Sequence, residues 1–432
     1  MKWSKYNYLF NSTKYGLFIY NSTTRAFLKL NDELFSICKK IENDITKLNL
    51  LDEDVKSEFI RSKILLTEYD EKNFFVKTEY LKRLNSFSQT QMGLIIAPTY
   101  TCNFACPYCY EHNLPNINIT EQVEDNIINF INNFDFVQEI VLCWHGGEPL
   151  LRFGNIKSIF QKINSRCKAK IVNHQIVTNG YLLDKEKCEF FKESKLEYIQ
   201  ITIDGLKETH DKNRIHKQGL PTYEKILTNI DEFCNIHPEC KVGVRVNVHE
   251  GNNKEYAQLK KELLERWAGK NVMVYFMYVQ AHGQCQVACL ENKDKLKFII
   301  DLYKNHNLVE GKFFPDQTLG GCTADSNMSF VIGPKGELYK CWVDLGRPEY
   351  EIGNIAGTKL NLELTSEYII GTDKFSDTKC QNCFMFPICD GGCGKYRLDD
   401  KKNGKGYNVC PINPEDFNLL LELFYEQKIN KI

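Results

Sequence analysis

The sequence has almost no net charge and no long apolar run. Its 55 Lys and Arg against 56 Asp and Glu leave a formal charge of -1 at pH 7. A bulk charge that small draws a protein neither to nucleic acid nor to an acidic membrane surface, so neither is an expected partner. No stretch approaches the roughly 20 consecutive apolar residues that cross a bilayer. Met1-Lys2-Trp3-Ser4-Lys5-Tyr6-Asn7 opens no signal-peptide pattern. A soluble, cytoplasmic protein without a membrane partner is expected. With 432 residues, 43% of them hydrophobic, the chain can bury a sizeable core, and its length corresponds to about three domains. What it has in abundance is cysteine, 18 residues. In a large chain without secretory features that number points to metal or cluster ligation rather than to disulfides.

Three of the cysteines fall within eight positions, in Cys102-Asn103-Phe104-Ala105-Cys106-Pro107-Tyr108-Cys109-Tyr110, just after the apolar run Gly93-Leu94-Ile95-Ile96-Ala97. Thiolates anchor iron-sulfur clusters, and a cubane held by only three of them leaves one iron open to an exogenous ligand. The spacing alone also allows a zinc knuckle or three unrelated core thiols.

Residues 1–70 read as a small unit of their own. Leu17 to Tyr20 and Arg25 to Leu30, joined through Asn21-Ser22-Thr23-Thr24, predict a β-hairpin. Asn31 can cap a helix whose Leu34, Ile37, Cys38 and Ile41 make one apolar stripe, and a second helix is expected over 52–64. Residues 71–91 read as a linker helix. From 92 to 310 the pattern changes to alternating strands and helices, with strands expected at 93–97, 138–143, 171–177, 197–203, 241–248 and 271–279. Six such units imply an α/β fold with a parallel sheet, closing as a partial (β/α)6 barrel with its reactive groups at the C-terminal strand ends. The second strand ends in Trp144-His145-Gly146-Gly147-Glu148-Pro149, where Gly146 and Gly147 allow close backbone approach and Glu148 can accept from an ammonium group. The third ends in Thr178-Asn179-Gly180 and the fourth in Thr202-Ile203-Asp204-Gly205, followed by Arg214. On the fifth, a period of two puts Arg245, Asn247 and His249 on one face.

The Cys-x3-Cys-x2-Cys loop, with aromatics flanking Cys109, resembles the signature of the radical S-adenosylmethionine (SAM) enzymes. Gly-Gly-Glu-Pro at the next strand end resembles the element that holds the SAM amino group. With Thr202 and Arg214 the resemblance narrows to the subgroup of anaerobic sulfatase maturases and ribosomal peptide maturases. It implies that Cys102, Cys106 and Cys109 ligate a [4Fe-4S] cluster and that Tyr108, Gly146, Gly147, Glu148, Thr202, Arg214 and Asn247 contact SAM. The N-terminal hairpin and helices are similar in pattern to the winged-helix-like domains with which peptide-modifying enzymes bind a leader peptide as an added strand. A packing domain or a DNA-binding winged helix has the same pattern.

From 311 to 432 the chain is cysteine-dense. Cys322, Gly336, Cys341, Cys380, Cys383, Cys389, Cys393 and Cys410 are similar in spacing to the SPASM motif, which implies two auxiliary [4Fe-4S] clusters and three in all. By the family's interleaving, Cys322, Cys341 and Cys393 serve the first and Cys380, Cys383, Cys389 and Cys410 the second. The first is then one ligand short, leaving an iron for a substrate thiolate, Cys285, Cys289 or Asp325. Sulfatase maturases carry an Asp proton acceptor immediately after the cysteine matching Cys341. This chain has Trp342 there, and Asp344 is the nearest substitute base.

The resemblance implies a maturase in which a 5'-deoxyadenosyl radical abstracts hydrogen from a precursor peptide and a cross-link follows, a thioether above all. An electron donor such as flavodoxin or ferredoxin is the implied partner. The alternatives are an anaerobic sulfatase maturase making formylglycine and, in a different class, a zinc-binding regulatory protein.

Overall fold

The structure is a computed structural model, and it describes all residues except 281–284, 312, 318–320, 358, 405, 407, 408, 411, 431 and 432; of residue 415 it describes the backbone alone. The chain divides into two compact units. One comprises Met1–Phe87, Gly311–Ser326 and Ser366–Ile432, the other Ser88–Glu310 and Asn327–Thr365.

The first unit opens with β1 (Lys2–Trp3), β2 (Asn7–Ser12), β3 (Gly16–Asn21) and β4 (Ala26–Leu30). These are followed by α1 (Asp32–Asn43), α2 (Glu53–Arg61), β5 (Leu65–Leu66) and α3 (Glu68–Ser86). The expected hairpin is β3–β4, and β2 adds a third antiparallel strand on the other side of β3, while β1 pairs with β5. Asn31 caps α1 as expected, its side chain accepting the Leu34 N–H at 2.8 Å.

Because side chains alternate across a strand, the three-stranded sheet has two apolar faces, and each needs a cover. Leu9, Ile19 and Leu30 pack with Cys38 and Ile41 of α1 and Phe59 of α2. Phe10, Phe18 and Tyr20 pack instead with Met385, Ile388, Phe417 and Leu421 from the cysteine-rich C-terminal region. The expected boundaries at 70 and 311 are therefore corrected: the N-terminal module and most of the C-terminal region share one core.

The expected linker helix packs in a third apolar cluster of the same unit. It starts at Glu68 behind a Thr67–Asp70 capping box. Its Phe74 and Phe75 pack against Tyr6, Phe375 and Phe386. Lys82 pairs with Asp325 at 2.9 Å, and Arg83 pairs with Asp373.

In the second unit β6 (Gln91–Ile96), β7 (Glu139–Trp144), β8 (Lys170–Thr178), β9 (Tyr198–Thr202), β10 (Lys241–Val248) and β11 (Val272–Tyr278) lie in sequential order, every neighbouring pair parallel. Helices alternate with them: α4 (Glu121–Asn132), α5 (Phe153–Arg166), α6 (Lys185–Glu193), α7 (Lys207–Asn213), α8 (Tyr223–Ile236) and α9 (Tyr256–Arg266). After β11 comes α10 (Asn292–His306). The apolar spacing of α5 does what it predicts, burying Ile156, Ile159 and Ile163. All six expected strands are present, and the sheet is the open, partial barrel expected of them. Instead of pairing with β11, β6 is joined by β12 (Ser329–Ile332) in parallel, then by β13 (Glu337–Tyr339) and β14 (Gly353–Asn354) antiparallel. Residues 327–365, expected in the C-terminal domain, thus extend the barrel sheet.

Candidate active site

The cysteine loop leaves the C-terminal end of β6 and is held by backbone bonds to the segment after α7. Ala105 N–H donates to Ile215 O at 2.8 Å and Lys217 N–H to Asn103 O at 2.9 Å. Cys102, Cys106 and Cys109 line one cavity of about 330 Å³, together with Glu111, Gly147 and Lys217. Burial pushes the Cys102 and Cys109 thiols up to about 12. They keep their protons at neutral pH unless metal ions take the protons' place. Among the described residues no three His, Cys, Asp or Glu side chains converge on a single-ion position. Three thiols lining one cavity are a donor set that suits a multi-iron cluster. The Phe104 N–H points at the Cys102 sulfur at 3.4 Å, the kind of hydrogen bond that tunes a ligating thiolate.

The loop after β7 rests directly on the cysteine loop. Gly146 has φ +102°, and a Cβ at Gly147 would lie 2.3 Å from the Thr101 carbonyl oxygen, so this approach requires glycine. Glu148 N–H donates to the same carbonyl at 2.9 Å. The buried Glu148 carboxyl accepts from Leu150 N–H (2.9 Å), the Thr178 hydroxyl (2.7 Å) and Asn179 N–H (2.8 Å), tying the ends of β7 and β8 together. Burial pushes it up and these donors pull it down. Its Oε2, with one of these bonds, retains acceptor capacity for an ammonium group.

On the other side, Tyr108, Arg214 and Asn247 meet at Asp204, a residue that sequence reasoning quoted without assigning. The Tyr108 hydroxyl donates to Asp204 and receives from Arg214 (3.2 Å) and Asn247 (3.3 Å), while Asn247 N–H donates to Asp204 at 2.7 Å. Thr202 is buried at the end of β9, in register with Arg245 of β10. Burial raises Asp204, and Arg214, Tyr108 and Asn247 oppose that shift. Arg214 sits over the Phe104 ring at 5.3 Å, and its buried Nε has no protein partner. A buried guanidinium with an unused donor beside the cysteine loop fits a ligand carboxylate. Asp-Gly at a strand end was the signal for Asp204, and it reads equally well as a turn.

Tyr110, His145 and Trp342 form a second group that sequence reasoning did not assemble. The Trp342 ring stacks on His145 at 5.5 Å and 4°, and the Tyr110 hydroxyl lies 3.3 Å from His145 Nε2. Burial lowers His145 to about 4 and raises Glu111 to about 8. Their 3.8 Å approach is therefore between neutral groups and not an ion pair at pH 7. Trp342 is 42% exposed, whereas Asp344 is fully buried. A general base must meet the substrate's proton, and the exposed side chain in this segment is Trp342, not Asp344.

In the first unit the expected second auxiliary set is held by local chemistry. Arg397 donates to the Cys380 sulfur at 3.0 Å and to Asp377 at 2.7 Å. Met385 N–H and Gly391 N–H point at Cys383 (3.4 Å) and Cys389 (3.3 Å). Cys389 is raised to about 11, mainly by burial, then by Asp390 and Cys380; Cys383 is raised by burial and by Cys410. Gly392 has φ +79°, and a Cβ there would lie 2.0 Å from Val409 O, so glycine is what lets the Cys410 segment lie alongside. Of the expected first set, Cys322 and Cys393 belong to this unit and Cys341 to the other.

Residues 96–263 match the family described as the Radical SAM superfamily. The serine-type anaerobic sulfatase-maturating enzyme of Bacteroides thetaiotaomicron is 27% identical over 346 residues, 70% of this chain and 82% of that protein. The cysteine-type enzyme of Clostridium novyi is 24% identical over 79% of this chain and 96% of that protein. Native anSMEcpe with bound AdoMet and Kp18Cys peptide superposes with a TM-score of 0.60 at 22% identity, over 79% of this chain and 98% of that one. Streptococcus suis SuiB bound to precursor peptide SuiA gives 0.55 at 16%, over 95% and 100%. The alternative of a zinc-binding regulator is overturned by these matches. The chain thus carries a Radical SAM domain at residues 96–263 and is similar, over most of its length, to the anaerobic sulfatase-maturating enzymes.

Proposed function

We propose that this enzyme modifies a ribosomally made precursor peptide, abstracting a hydrogen atom and leaving a thioether cross-link. A [4Fe-4S] cluster with SAM supplies, when bound, the 5'-deoxyadenosyl radical for that abstraction. Cys102, Cys106 and Cys109 hold the cluster. Glu148 Oε2 receives the SAM ammonium and Arg214 Nε its carboxylate, with Gly146 and Gly147 keeping the floor of the site free of side chains. Tyr108, Asp204 and Asn247 fix the Arg214 guanidinium, and Thr202 closes the end of β9. Cys380, Cys383, Cys389 and Cys410 hold an auxiliary cluster.

The observation that carries the peptide reading is the Trp342–His145 stack beside the buried Asp344. An exposed indole stands where sulfatase maturation calls for a proton-accepting carboxylate. The fold match to SuiB over 95% of this chain, against 79% for anSMEcpe, also favours it. The second reading, formylglycine formation in a sulfatase, is favoured by the curated relatives that match over most of the chain.

The test is an accurate mass of a short precursor peptide encoded beside the gene, co-expressed anaerobically with and without the enzyme. Loss of two hydrogens and of one alkylatable thiol is the expected result. Conversion of a sulfatase peptide's Ser or Cys to formylglycine, with the precursor peptide unchanged, would decide for the second reading.

A further inference from the structure

Cys285 and Cys289 follow β11 and belong to neither cysteine motif. Both are partly exposed, and both thiols donate to one atom, the Val287 carbonyl oxygen, at 3.7 and 4.0 Å. Each feels the other electrostatically: Cys285 is among the causes that raise the Cys289 thiol. The segment is stitched to the site at two points. Gln286 N–H donates to Pro107 O at 2.9 Å, between Cys106 and Cys109 in sequence, and Glu250 N–H at the end of β10 donates to Ala288 O at 3.0 Å. Cys234 and Cys240 also approach one another, but both are buried in the apolar core. Outside the two cysteine motifs, Cys285 and Cys289 are the adjacent pair among the described residues that solvent reaches.

The groups around the pair are unequal in their effect. Burial, then Cys285, push Cys289 up to about 11, with Glu250 adding to the rise and Lys295 of α10 opposing it. Burial thus favours the protonated form of Cys289.

We propose that Cys285 and Cys289 are a thiol–disulfide exchange site bordering the radical SAM loop, whose substrate is the disulfide of a cysteine-bearing peptide. The proposal rests on the peptide-maturase reading, since a thioether is built from a free thiol. The Cys285 thiolate attacks one sulfur of the peptide disulfide, that S–S bond breaks, and the first peptide thiolate leaves. Cys289 then gives up its proton and attacks the Cys285 sulfur of the mixed disulfide, releasing the second thiolate. One peptide disulfide is reduced, two protein thiols are oxidised, and the two thiol protons end on the peptide sulfurs.

The test uses anaerobic holoenzyme, in which cluster ligation shields the motif cysteines. The enzyme is treated with oxidised glutathione or a synthetic disulfide-bridged peptide, blocked with N-ethylmaleimide, digested and weighed. The expected wild-type fragment carries Cys285 and Cys289 two hydrogens lighter and unalkylated, with two thiols released per protein. Cys289→Ser should stop at a mixed disulfide on Cys285 with one thiol released, and the Cys285→Ser, Cys289→Ser double variant should release none, with unchanged iron. Both cysteines fully alkylated at every disulfide concentration would overturn the proposal. So would protection of both cysteines before oxidation, with iron lost in the double variant, because they would then be cluster ligands. The readout is the enzyme's own fragment, so an intramolecular disulfide with no thioether product would sink the function reading and leave this site standing.

Discussion

Gly147→Ala is the sharpest probe of the site because the added atom has nowhere to go. The new Cβ would lie 2.3 Å from Thr101 O, 2.6 Å from Thr101 C and 2.7 Å from Tyr100 O, all backbone. Ordinary contact begins near 3.5 Å, so the two loops must separate by about 1 Å, and no flexible side chain can absorb the shift. Overpacking of this kind costs about 1–3 kcal/mol. Thr101 immediately precedes Cys102, so the displacement falls on a cluster ligand. Gly154, on α5, is the internal control, since a Cβ there meets nothing within 4 Å. Gly154→Ala should match wild type or gain up to about 1 kcal/mol from helix propensity. The assay is iron and sulfide content of anaerobically purified protein, followed by 5'-deoxyadenosine formation from SAM. Gly147→Ala is expected to lose one cluster's iron and at least tenfold in SAM cleavage. Wild-type iron and turnover in that variant would refute the close-approach argument and, with it, the placement of the Gly-Gly-Glu-Pro loop on the cysteine loop.

Three further outcomes follow from the geometry. Asp204→Asn keeps the shape but removes the charge that receives Tyr108 and opposes Arg214; charge-assisted bonds contribute about 1.5–3 kcal/mol each. SAM affinity by equilibrium dialysis should therefore drop at least tenfold with iron content unchanged, and unchanged affinity would remove Asp204 from the site. Cys383→Ser with Cys389→Ser should lower iron by about four atoms per protein, one cubane, while 5'-deoxyadenosine formation persists; loss of both together would mean that the auxiliary residues are needed for the first cluster. His174 is buried, accepts the Trp144 N–H at 2.8 Å, and is lowered to about 4 by burial, with its bond to Ser194 O opposing the shift. Its unfolded form gains a proton below about pH 6.5 that the folded form refuses until about 4. Stability is accordingly complete above that window and falls as pH drops through it, by up to about 1.4 kcal/mol per pH unit. Urea unfolding at pH 7 and pH 5 should show a smaller loss for His174→Gln than for wild type.

The parallel strands and the cysteine motifs were legible in the sequence because each is a local pattern. Strand 241–248 alternates Val244, Val246 and Val248 with polar residues, and that period of two needs no knowledge of the partner strand. The strand β2 was not legible: Tyr8, Leu9 and Phe10 are consecutive apolar residues with no alternation, because both faces of that sheet are covered. For the same reason the linker reading of 71–91 failed, since nothing local says that Phe74 and Phe75 will meet Tyr6, Phe375 and Phe386.

By itself the sequence supplied the candidate ligands and their order. Three thiols in eight positions, two glycines before Glu148 and an Arg ten residues past Asp204 carry the resemblance to the radical SAM enzymes, and it is that resemblance, not the spacing alone, that implies a cluster and SAM. The tertiary structure alone decided which of those side chains have partners and which keep unused capacity. It put Asp204 at the centre of the Tyr108, Arg214 and Asn247 group, buried Asp344 while exposing Trp342, and brought Cys285 and Cys289 to a single carbonyl. Burial and long-range hydrogen bonding depend on what the rest of the chain brings alongside, and no local pattern carries that information.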